Sequence, residues 1–116
     1  MEISKSDWIL YRKKLAGWQE AHMEKLCREY AAALNDDRTA PSERFWTLEQ
    51  RIREDQRHPG IQVVLRRSSM LFDLAQLVAE NVISLEDLSE FSKELQDTVK
   101  VISKHNNMSS GDELCE

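Results

Sequence analysis

Little punctuates this chain. Three glycines and two prolines among 116 residues leave few places to turn a series of short strands. Alternation of apolar and polar residues never lasts more than a few positions, so an all-β design is set aside in favour of helices. Cysteine is scarce as well. Cys27 and Cys115 belong to no CxxC or other ligand-spaced set, which removes a disulfide scaffold and a thiolate metal site. No signal peptide is evident, and no apolar run approaches the roughly 18 residues a membrane span needs. The chain reads as soluble and intracellular with reduced thiols, a bacterial cytoplasm being the default setting. The formal charge of −5 speaks against general affinity for nucleic acid or a membrane surface.

What is present is helical periodicity, most of all from Gly60 to Ile83. Wound as an α-helix, this stretch aligns Gln62, Arg66, Ser69, Asp73, Gln76 and Glu80 in one polar stripe, and nearly everything else on it is apolar. Such a helix has to be covered on several sides, so it is expected to be the central rod of the fold. Ser6 is the expected cap of a first helix from Asp7 to about Leu34, its apolar stripe kept in phase across an exposed Gly17, where a kink is the alternative. A polar connector over 35–40 precedes a second helix from Pro41 to about Gln56, stopped by His58-Pro59-Gly60. Ser84 with Glu86 and Asp87 reads as the cap of a last helix, from Leu85 to about Lys104, with a seam of Leu88, Phe91, Leu95, Thr98, Val99 and Ile102. Residues 106–116 are expected to form a flexible polar tail.

The fold class that follows is all-α: a single domain over 1–105, built as a mostly antiparallel four-helix bundle. The first helix would reach about 42 Å and the third about 33 Å at 1.5 Å per residue. That mismatch predicts an overhang carrying Trp8, Tyr11 and Trp18, apolar aromatics in want of a partner or a second copy.

Charge is unevenly spread. Residues 1–43 sum to −1, residues 44–67 to +3 and residues 68–116 to −7, so the middle and the end can neutralise one another. Arg51, Arg53, Arg57, His58, Arg66 and Arg67 gather near the Pro59 turn and form the only phosphate-facing candidate. Arg67 falls on the apolar side of the central helix, which requires either an internal acid or a groove. Trp46 points off the Phe45–Leu48–Ile52 line, either tucked beneath Arg53 or exposed as an interface anchor. His22 has no HxxxH, HxH or HExxH companion and reads as a core or boundary residue. Cys27 lacks a facing base and reads as a packed thiol. No catalytic residue, metal ligand or cofactor motif is found.

The runs DWILYRKKLAGWQEAHMEKLCREY, RFWTLEQRIREDQRHPG and NVISLEDLSEFSKEL resemble a group of short uncharacterised proteins of bacterial mobile and phage-derived elements, over most of residues 6–104. The resemblance implies a small helical accessory protein without assigned catalytic residues, in settings that include repressor partners and inhibitors of host defence nucleases. Some members carry a transporter label, which nothing in this chain justifies. The expected function is non-enzymatic protein binding by occlusion or scaffolding, through Trp8, Tyr11, Trp18, Trp46, Arg53, Arg57 and Arg67. Self-association is expected if the first helix overhangs, and nucleic-acid binding through the arginine edge is the alternative.

Overall fold

The computed structural model describes the backbone of residues 2–115 and the side chains of residues 2–105. It holds four α-helices, α1 (Lys5–Leu34), α2 (Pro41–Asp55), α3 (Met70–Ala79) and α4 (Lys93–Cys115), with single 3-10 turns at Arg67–Ser69 and Leu85–Leu88. No strand occurs among the described residues, so the all-α class stands. The tail expected over 106–116 falls on residues whose side chains lie outside those described. The chain divides into two compact units, residues 1–16 with 64–116, and residues 17–63.

The central rod is the main correction. Residues 60–61 lie in a turn and 62–66 in no regular element, with Arg66 extended at φ −133° and ψ 129°, and α3 spans only ten residues. Two local preferences defeat the longer helix. Ile61, Val63 and Val64 are β-branched and lose side-chain freedom in a helix. The Ser69 hydroxyl lies 3.2 Å from both the Arg66 carbonyl and the Asp73 carboxylate and donates to one or the other, local bonding that competes with a continuous helix. Of the polar stripe, only Ser69–Asp73 and Gln76–Glu80 (2.8 Å) remain as pairs. Without a rod from 60 to 83, the expectation of a bundle wrapped around it loses its premise.

The first unit carries the core. Met70, Leu74, Ala75 and Leu77 of α3 pack with Leu88, Leu95 and Val99, all fully buried, and Ile3, Tyr11, Leu15, Ile83 and Phe91 complete the set. Each large aliphatic side chain so buried stabilises the unit by about 1.5–3 kcal/mol before entropy is counted. The expected seam therefore exists, but Leu88 and Phe91 precede α4, because Ser84–Asp87 caps a single 3-10 turn (Ser84 N–H to Asp87 Oδ2, 2.8 Å) and not the last helix. That helix is started by Ser92. Its hydroxyl accepts from the Leu95 N–H at 3.3 Å, and buried Asp7 accepts from both the Ser92 N–H (3.0 Å) and the Ser92 hydroxyl (2.6 Å). At the start of the connector to α4, Asn81 takes φ 61° and closes α3, with the Val82 and Ile83 N–H groups returning to the Leu77 carbonyl. Asparagine tolerates this left-handed cap better than other non-glycine residues.

The second unit pairs residues 17–34 of α1 with α2. Its buried residues are Leu26, Pro59 and Gly60, and α2 buries no side chain at all. Polar contacts do the joining. Tyr30 donates to Asp55, Arg51 pairs with Glu29 and lies 3.6 Å from Asp55, and the Arg51 guanidinium sits 5.0 Å over the Tyr30 ring. Arg44 donates to the carbonyl of Leu34 (2.6 Å), an orphan acceptor where α1 ends, and to that of Thr39 in the connector (3.0 Å).

Candidate interaction site on the second helix

Along α2 the residues Phe45, Leu48, Glu49, Ile52, Arg53 and Gln56 recur at three- and four-residue spacing, so they share one side of the helix. With Leu34 from the end of α1 they line an open groove of about 470 Å³. In a finished core this line of Phe45, Leu48 and Ile52 would be covered. Here Phe45 is 61% exposed, Trp46 64% and Leu34 41%. The Phe45 and Trp46 rings meet edge to face at 5.0 Å, each holding the other in place. Arg53 pairs with Glu49 along the same edge, so Trp46 stands exposed beside that pair and takes Phe45 as its ring partner.

The other expected site residues are scattered. Tyr11, placed by the sequence on an overhang, is 1% exposed in the core of the first unit. Trp8 is half-buried beside it at 6.0 Å between ring centres, with the Arg12 guanidinium 5.7 Å from the indole. Those first turns of α1 are tied down by Asp7, by a Lys14–Glu90 pair at 3.2 Å and by the Ile3 carbonyl, which accepts from Arg67. So the overhang is corrected for Trp8 and Tyr11, which lie buried or half-buried within the first unit. Trp18 is half-buried in the second unit, and Arg57 lies exposed just past α2. Arg67 borders a groove of about 480 Å³ with Glu2, Ile3, Ser68 and Leu71, the second of the two expected alternatives, and its bonded partner is the neutral Ile3 carbonyl. His22 is half-buried, and Cys27 is exposed where a packed thiol was expected.

Electrostatics follow burial and pairing. Burial first, and then the hydrogen bond to Asp55, push the Tyr30 phenol up to about 12. The Tyr11 phenol is raised further by burial, with the Asp73 charge adding to it, and its hydroxyl finds no hydrogen-bond partner among the described residues. Burial also raises the Asp73 carboxyl against the opposing hydrogen bond from Ser69. The Arg51 guanidinium is held in its charged form by the bond to Glu29. Around α2, then, the basic groups Arg44, Arg51 and Arg53 are occupied by carbonyls or carboxylates of their own unit. Among the described residues no group of three or more His, Cys, Asp and Glu side chains is placed to hold a metal ion, and no helix is long and apolar enough to cross a membrane.

Two signals for this site were legible before folding: the thin apolar line on α2 and the adjacent tryptophan. What the sequence did not show was that nothing in the second unit covers them. No family model, curated protein or solved structure matches the chain.

Proposed function

We propose that the protein is a non-enzymatic accessory protein that docks a helical partner on the α2 face and acts by occlusion or scaffolding. The observation carrying this reading is the exposed Phe45–Trp46 pair on the rim of an apolar groove. Together the two rings hold out roughly 250 Å² of apolar surface, approaching the few hundred Å² of the largest apolar patch on a typical monomer, which is often functional. Tryptophan is also among the residue types that dominate interface energetics. A groove lined at i, i+3 and i+7 suits the apolar face of an amphipathic helix. A setting in a mobile or phage-derived element remains part of this proposal and rests on the resemblance alone.

The arginine edge gives the competing reading, nucleic-acid binding, less support. Arg51 and Arg53 are already engaged by Glu29, Asp55 and Glu49, so contacting phosphate requires breaking those pairs. One experiment separates the two. Immobilised wild-type protein and the Phe45→Ala/Trp46→Ala variant are compared for capture of binding proteins from native lysate, and for retention of DNA and RNA over a salt series. The reading expects protein capture lost in the variant while its helical circular dichroism is kept. Retention of nucleic acid that falls steeply with salt, and that survives the aromatic change, would overturn it.

A further inference from the structure

The groove specifies what its occupant must look like: a helix with an apolar line at i, i+3 and i+7 and, from the middle of its face to one flank, charges running opposite to Glu49 followed by Arg53. The α2 helix of another molecule of this same chain meets that description. On the helical wheel Phe45, Glu49, Ile52 and Gln56 run down the middle of the groove face, and Arg53 and Trp46 fall on a single flank. When two identical helices meet antiparallel across a twofold axis, each flank faces the same flank of its copy. A twofold axis opposite Arg51 then sets Glu49 against Arg53 of the second copy, and Arg53 against Glu49 of the second copy. The intrahelical Glu49–Arg53 pair becomes a four-membered charge cluster at no loss of either partner. Both Phe45 rings are carried toward the far end of the opposing helix, over the part of the groove lined by Ile52 and Gln56.

We propose that α2 pairs with α2 of a second copy in this antiparallel arrangement, so that the docking face of one chain is covered by the same face of another. The inference rests on reading α2 as a docking surface and names its occupant. A parallel pairing, or a groove that serves only an unrelated helix, lacks the reciprocal match: a parallel pair in register brings the two Glu49 side chains together and puts the two Arg53 flanks on opposite sides.

The test exploits that reciprocity. Mass in solution is measured by light scattering after gel filtration for wild type, Glu49→Arg, Arg53→Glu, the double exchange Glu49→Arg/Arg53→Glu, and an equimolar mixture of the two single variants. The expected results are a wild-type dimer, single variants that dissociate at about tenfold or more higher concentration, a restored dimer for the double exchange, and a heterodimer in the mixture. The mixture also guards against misfolding, since a variant that fails to fold does not regain a partner. A wild-type monomer at high micromolar concentration overturns the proposal, as does a dimer indifferent to all these changes. If the chain is monomeric and still captures a protein through Phe45 and Trp46, the self-pairing fails and the docking reading survives. If neither self-pairing nor aromatic-dependent capture is seen, both fail together.

Discussion

The two units of this chain solve the same folding problem by different means. Residues 1–16 and 64–116 close an apolar core from Tyr11, α3 and α4, in which seven large side chains are effectively inaccessible. Residues 17–63 hold two helices together through Tyr30–Asp55, Glu29–Arg51 and the Arg44 bonds to carbonyls, while the apolar line of α2 stays open. Ion pairs with both members partly exposed contribute about 0–1 kcal/mol each, far less than the buried aliphatic residues opposite. The lesson is a division of labour: the well-packed unit supplies stability, and the sparsely packed unit keeps its hydrophobic residues available for another molecule.

The comparison breaks most sharply on a core deletion. Leu77→Ala removes a fully buried side chain from the first unit and is expected to cost about 2–5 kcal/mol in urea unfolding. Phe45→Ala, on the exposed α2 face, is expected to stay within about 0.5 kcal/mol under monomeric conditions. Equal losses at the two sites would mean that Phe45 is part of a core after all. A step smaller is Asp7→Ala, which strips two hydrogen bonds from the start of α4. About 1–3 kcal/mol is expected, together with faster amide exchange at Ser92 to Leu95; unchanged exchange there would show that α4 starts without help from α1.

The smallest effect concerns the polar network of the second unit. Tyr30 ordinarily titrates near 10 and is raised to about 12 in the fold, by burial first and the Asp55 bond second. The native state therefore keeps a proton that the unfolded chain gives up in that window. Its contribution is fully present below pH 10 and is lost as pH climbs through about 12. Tyrosinate absorbance of the native protein should accordingly be nearly absent at pH 10, and Tyr30→Phe should remove the transition near pH 12. A phenol that ionises near 10 in the native protein would show that the Tyr30–Asp55 contact does not hold the two helices in solution.

Much of the helical content was legible residue by residue. Strong punctuation marked α2, with Pro41 at its first turn and His58-Pro59-Gly60 beyond its end, and its observed bounds fall within a residue of expectation. The span of α1 was equally plain, although Ser4 caps it by accepting the Asp7 N–H at 3.1 Å, two residues ahead of the serine chosen from sequence. Where reading failed, a periodic pattern was carried across residues that prefer to leave a helix, at Val63-Val64 and Ser68-Ser69. The polar stripe is real on paper, yet the chain from 60 to 66 stays out of a helix, which would have to wind β-branched residues and be nucleated.

Composition and spacing by themselves determined that this chain is helical, about where α1 and α2 begin, and which positions of α2 and α4 are apolar, because those follow from local backbone preference and a 3.6-residue period. Only the tertiary structure decided which apolar lines are covered. Tyr11 and Phe45 look alike in sequence, each an aromatic on a helical stripe; one is sealed in the core of the first unit and the other faces solvent. Burial depends on what arrives from distant parts of the chain, and a stripe carries no record of its neighbour.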